Sequence, residues 1–256
     1  MPFQPGKGTY FGLEPPTVET LLPSASGLCV QRIALCPHAS GTHTECLLHI
    51  DPLIMADMTH TDAWKEGALV PCTVVRVKPV ALGASGEQYT RSVPLPLADE
   101  LVVTRAAIVQ AVNAVHPHDD FMHSMLVLTE GVEAFFTHEA MHWLVEKKVT
   151  RLLVDQVTVD RAVCGPGMPA HRIFFGRRPW ACITEMVRTP LSSEAPDGMY
   201  LLNLHLTAFL STDAVPSRPV LYTLVERGTA AAAASSAAAM LPPLAPKSKR
   251  QRKSKA

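Results

Sequence analysis

Residues 137–161 read THEAMHWLVEKKVTRLLVDQVTVDR. Thr137 is a natural N-cap, because its hydroxyl can accept from a backbone N–H in the first turn. Met141, Leu144 and Val145 then recur at helical spacing, which predicts a helix with one apolar face. The following RLLVDQVTV, residues 151–159, is Leu- and Val-rich and predicts a buried strand. A helix that feeds directly into a buried strand is the signature of an α/β layer.

Working outward, the same alternation continues. LVPCTVVRVKPV (69–80) and the centre of FMHSMLVLTE (121–130) predict strands, and 97–114 carries a helix-like pattern that breaks at His116-Pro117. HRIFFGRRPWACITE (171–185) predicts a short helix or turn and then a strand entering Glu185. Met199 to Leu210 and Pro219 to Val225 predict two more strands, and 28–35 an earlier one. The expectation is an α/β fold, a single domain with a mixed sheet, over residues 27–227. Residues 1–26 read as an extended lead-in, and 228–256 as an Ala-rich and then basic low-complexity tail.

Charge is unevenly placed. Lys and Arg balance Asp and Glu at 23 each, but six of the basic residues lie in the final KSKRQRKSKA. The rest of the chain is mildly acidic, which argues against a broad nucleic-acid-binding face. The tail could contact nucleic acid, an anionic membrane or an import receptor, or only aid solubility. Its final Ser-Lys-Ala is one residue from a peroxisomal address. No apolar run is long enough to span a membrane, and no secretory signal is visible. Six cysteines without a paired CxxC fit reduced thiols in a cytoplasmic protein.

The densest chemistry is PHASGTHTECLLH, residues 37–49, with three histidines and a glutamate around Gly41-Thr42. His, Glu and Asp bind zinc or manganese and move protons near neutral pH. In an extended segment His43 and Glu45, two apart, point to one side and can reach one metal. His49, four residues beyond Glu45, sits one turn away if a helix starts there, which suits a general acid or base. Spacing alone leaves a histidine-bearing structural loop open, because this pattern lacks the specificity of HExxH on a helix. His116, His118 and His123 with Asp119 and Asp120 read as a surface loop, and His138 and His142 as a helix surface. Cys46 reads as a small buried residue rather than a nucleophile.

With these residues in view, the chain resembles the cyclase-like metal-dependent hydrolases, the family that contains kynurenine formamidase and isatin hydrolase. That family carries His-x-Gly-Thr-His-x-Asp-x-Pro-x-His, matched by the GTHTE core and His49. The helix–strand unit at 141–161 resembles the segment that ends Asp-x-x-Ser-x-Asp, here Asp155-Gln-Val-Thr158-Val-Asp160. The resemblance implies a barrel-like core flanked by helices, of the swivelling β/β/α type. It also implies hydrolysis of an amide, formamide or lactam C–N bond of a small molecule, in an arylformamidase-like reaction, with one or two zinc or manganese ions. The implied metal ligands are His38, His43, Glu45, His171 and Glu185, with His49 as proton shuttle. A homo-oligomer, dimer or tetramer, is implied as well. Two departures stand out: Ala39 occupies the usual first-ligand position, with His38 one residue further out, and Leu47 replaces the proline. The competing expectation is a metal-binding or scaffold module of the same fold that works through its basic tail.

Overall fold

The β-branched and leucine-rich segments pair into a ring. The computed structural model describes residues 16–22, 29–66, 69–115, 121–163, 165–188 and 190–225. The lead-in before residue 16, the histidine loop at 116–120 and the basic tail lie outside the described residues. Among the described residues there are twelve strands: β1 (Thr17–Leu22), β2 (Val30–Ala34), β3 (His43–Glu45), β4 (Val70–Arg76), β5 (Val80–Ala81), β6 (Leu101–Val103), β7 (Ser124–Leu128), β8 (Phe135–Phe136), β9 (Arg151–Val154), β10 (Cys182–Glu185), β11 (Gly198–Leu206) and β12 (Ala214–Thr223). Six helices accompany them: α1 (Pro37–Ser40), α2 (Asp62–Lys65), α3 (Leu82–Ser85), α4 (Arg105–Val115), α5 (His138–Glu146) and α6 (Pro169–Phe175). Among the described residues no helix is long and apolar enough to cross a membrane.

Seven strands close a mixed barrel in the order β10-β3-β12-β11-β4-β7-β9. The β4–β7, β7–β9 and β9–β10 pairs are parallel, and the other four are antiparallel. β5, β6 and β8 form a small separate sheet, and β1 and β2 a hairpin. The expectation of an α/β fold with a barrel-like mixed core is met.

Side-chain alternation sorts the two faces of the barrel. Cys72, Val74, Leu126, Leu128, Leu153, Cys182, Leu202 and Leu204 come from five of the seven barrel strands yet form one cluster, so they point inward. Their neighbours in sequence, Val75, Met125, Val127, Leu152 and Ile183, pack outward against Ile108 of α4, Met141 and Leu144 of α5, and Phe174 of α6. Thr137 caps α5 as its sequence suggests, accepting from Ala140 N at 3.1 Å.

Several boundaries differ from the sequence expectation: the stretch 69–80 divides into β4 and β5, and β11 stops at Leu206. The helical pattern at 97–114 divides into strand β6 and helix α4. Thr104 is the break: its hydroxyl accepts from Ala107 N and caps α4, while Val102 and Val103 pair with β5 and β8. The strand expected over 151–159 stops at Val154, because Asp155 and Gln156 turn out to accept from Thr129 N and Ala134 N. The last strand begins at Ala214 rather than Pro219 and carries two prolines. Pro216 donates nothing, but its carbonyl still accepts from Thr207 N at 3.2 Å.

Candidate metal centre

The barrel's pleat decides which side chains meet. In the β3–β10 pairing, Thr44 opposes Thr184, Glu45 opposes Ile183 and His43 opposes Glu185. The two threonine hydroxyls bond each other at 2.8 Å. Ile183 packs outward among the helices, so His43, Glu45 and Glu185 share that outer face. There they meet His171, on the buried side of α6. Gly41, at φ 125°, makes the reversal between α1 and β3, a conformation side chains other than glycine rarely adopt. The reversal turns the Gly41 carbonyl toward His43 and brings α1 back over β3.

His38, His43, Glu45, His49, His171 and Glu185, distant in sequence, form one cluster. His43 Nδ1 donates to the Gly41 carbonyl at 2.9 Å, which leaves Nε2 with its lone pair facing the cluster. His38 Nδ1 lies 3.2 Å from His43 Nε2 and 3.3 Å from Glu45 Oε2. His49 Nε2 lies 3.7 Å and His43 Nε2 3.9 Å from the same oxygen. The other carboxylate oxygen, Glu45 Oε1, is 2.5 Å from His171 Nε2, which is itself 3.5 Å from Glu185 Oε1. The extra residue between His38 and His43 is absorbed by the short helix α1.

Two carboxylates anchor the imidazoles from behind. Asp160 accepts from His171 Nδ1 at 2.6 Å, and also from Tyr89 O–H, Ala170 N and His171 N. Asp213 Oδ2 lies 2.8 Å from His38 Nε2 and 3.1 Å from His49 Nδ1. Asp160 closes the Asp155–Asp160 segment with no role legible from its local sequence, and nothing in the sequence marks Asp213. Asp213 precedes β12 with no motif around it. It reaches the site through the pairing of β12 with β3.

Glu45 is fully buried, and its Oε2 has no hydrogen-bond partner. A bare carboxylate oxygen in a low-dielectric interior is costly unless a cation meets it. The imidazole nitrogens around it stand 3.3–3.9 Å away. Ligand atoms sharing a tetrahedral ion at bonds of about 2.1 Å lie about 3.4 Å apart. The donor set therefore fits a divalent ion beside Oε2. On the other side of the carboxylate, Oε1 is hydrogen-bonded to His171, with Glu185 beyond it.

The electrostatics of the metal-free protein match that reading. Burial alone pushes His38 down, but Asp213 and Glu45 outweigh it and raise its pKa to about 10. Burial pushes His171 down too, and Glu45, Asp160 and Glu185 raise it well above the usual range. Burial pushes Glu45 up, yet the charges of His171 and His49 hold it well below. Protons on His38 and His171 thus supply the positive charge beside Glu45. With a folded pKa above its ordinary 6.5, His38 contributes stability below about 6.5 that is lost as pH rises through about 10. A metal must displace that proton. Zinc affinity should therefore climb with pH over this window, by about tenfold per unit for each proton released. Chelator competition across pH 7 to 9 measures the slope, and a flat profile would contradict this account.

Other residues separate from the site. Cys46 is fully buried, and burial pushes its thiol up to about 12, as befits a packing residue. His138 accepts from Thr90 N and is not one of the clustered histidines. Phe135 and Phe136 are core. Trp180 borders another depression with Asp62, Arg151 and Arg178. A cavity of about 440 Å³ opens on this cluster and is lined by His38, His49, His171 and Glu185 together with Ala162, Val163 and Met168.

The Cyclase family model matches residues 1–161. Several solved structures share the fold. A potential metal-dependent hydrolase with cyclase activity is 18% identical, with 86% of this chain and 94% of that one covered at a TM-score of 0.56. An isatin hydrolase bound to the product analogue thioisatinate is 14% identical, covering 80% of each chain at 0.57. Isatin hydrolase A from Labrenzia aggregata, bound to benzyl benzoate, is 16% identical, covering 80% and 82% at 0.55. At these identities the likeness speaks for the fold alone. No curated protein sequence matches the chain. With more than half of its length matched by the family model, the chain belongs to the cyclase family.

Proposed function

We propose that this protein is a metal-dependent hydrolase that cleaves an amide, formamide or lactam C–N bond of a small molecule. The observation that carries the proposal is the buried Glu45 Oε2, unpartnered and ringed by three imidazoles. His38, His43 and Glu45 would hold one divalent ion, zinc or manganese, and Glu45, His171 and Glu185 would hold a second. Such an ion supplies Lewis acidity, acidifying water and polarising a carbonyl.

The chain's own residues supply the rest. His49 faces the cavity with Nε2 free of any hydrogen-bonded carboxylate, since its Nδ1 is the nitrogen on Asp213. That nitrogen can take a proton from attacking water and return it to the leaving nitrogen. Asp160, with its four hydrogen bonds, fixes the ring of His171. Ala162, Val163 and Met168 add an apolar part to the cavity lining that can contact the apolar part of a substrate. The guanidinium of Arg161 borders the same cavity but is engaged by Glu100 at 2.7 Å and by the carbonyls of Pro94 and Val163. An uncharged aromatic substrate suits this lining. Assembly as a homodimer or larger homo-oligomer belongs to the same proposal.

The test is direct. Purified protein is expected to carry zinc or manganese, or to take up either. It should then turn over at least one of isatin, N-formylkynurenine or simple aryl formamides, and a chelator should abolish this. Protein that binds neither ion, and gains no activity when both are supplied, would refute the proposal.

A further inference from the structure

Resting on that reading of the metal centre, we infer that Asp213 is its positioning residue for two histidines at once. A single oxygen, Oδ2, takes both His38 Nε2, at 2.8 Å, and His49 Nδ1, at 3.1 Å. The two rings stack, with centroids 4.2 Å apart and planes 30° from parallel. Each ring therefore spans from Asp213 at one edge to Glu45 at the other. His38 presents Nδ1 and His49 presents Nε2 to Glu45 Oε2.

A carboxylate only accepts, so each nitrogen against it carries the hydrogen. When the rings are neutral, the hydrogen bond to Asp213 selects opposite tautomers in the two histidines. It leaves the lone pair of each on the side of the metal site. His38 needs this help. It sits on the four-residue α1, one residue further from His43 than the usual spacing, where its backbone alone does not aim the ring.

The backbone holds Asp213 in place. Its carbonyl accepts from Cys46 N at 2.9 Å, and its neighbour Ala214 is in register with Glu45. The carboxylate is thus fixed to the strand pair that carries His43 and Glu45. With its side chain 40% exposed, Asp213 is not a packing residue, and its substitution leaves the core intact.

The experiment compares Asp213→Ala, Asp213→Asn and Asp57→Ala with wild type. Asp57 accepts from Ser211 N at 3.0 Å and anchors the same loop without touching either histidine. Zinc affinity is expected to fall by about 10–100-fold in Asp213→Ala. Asp213→Asn should recover part of it, because the amide oxygen still accepts from one ring. Asp57→Ala should stay near wild type. In the metal-free proteins, the imidazole ¹⁵N resonances of His38 and His49 should move in both Asp213 variants and not in Asp57→Ala.

Unchanged zinc affinity in Asp213→Ala would overturn the inference. So would an Asp57→Ala loss as large as that of Asp213→Ala with no rescue by asparagine, which would make loop placement the cause. Wild-type protein that binds no metal would instead overturn the hydrolase reading. The ¹⁵N comparison then decides on Asp213 by itself, and unmoved resonances would refute its hold on the two rings.

Discussion

Glu45→Gln should remove divalent metal from this protein altogether while the barrel stays folded. Glutamine keeps the shape but replaces one carboxylate oxygen with an NH₂ that can only donate. Oε2 faces three imidazoles and Oε1 faces His171, so either orientation of the amide aims that NH₂ at nitrogens placed for a metal. The charge that draws in the ion is also lost. Breaking a buried ion pair ordinarily costs about 3–5 kcal/mol, because the surviving charge is stranded. Here His171 can shed its proton, since Glu45 is the charge that chiefly holds its pKa up. The cost to the metal-free fold should therefore be smaller than that range. Metal analysis of the purified variant, beside urea unfolding of both metal-free proteins, checks the two halves. Retention of one ion per chain would show that Glu45 is not at the centre of the site.

His49→Ala should do the opposite, keeping the metal and losing turnover. The ring lines the cavity, and its Nε2 is 3.7 Å from Glu45 Oε2. Positioned proton transfer of this kind contributes about 10²–10⁴-fold, so kcat should fall by that order with metal content unchanged. Glutamine at the same position fills the space without titrating and should rescue little. If turnover survives in fully loaded His49→Ala protein, the proton is carried elsewhere. If the metal is lost as well, His49 belongs among the ligands.

These two variants also mark how far the sequence could be read. The pairing of His43 with Glu45 on one side of an extended segment is a local property, and β3 bears it out. The placement of His38 was less legible. Four residues of helix and a glycine at positive φ absorb an offset that a linear motif registers only as a mismatch. Asp213 left no local trace, because its proximity to His38 depends on a strand pairing that closes the ring more than 160 residues along the chain. β6 was hidden for a related reason: Val102 and Val103 follow a helical rhythm in one dimension, and only β5 and β8 make them a strand.

By itself the sequence determined the α/β class, the helix from Thr137 into a buried strand, and the segment where histidines and a glutamate gather. These follow from side-chain periodicity, capping and spacing, all of which act within a few residues. The tertiary structure decided that the sheet closes into a barrel. It also decided that β10 and β12 flank β3, and that one buried carboxylate oxygen is left without a hydrogen-bond partner among imidazoles. Those outcomes depend on which distant strands share hydrogen bonds. That pairing is settled only when the whole ring forms, because each strand's register is held by its neighbours on both sides.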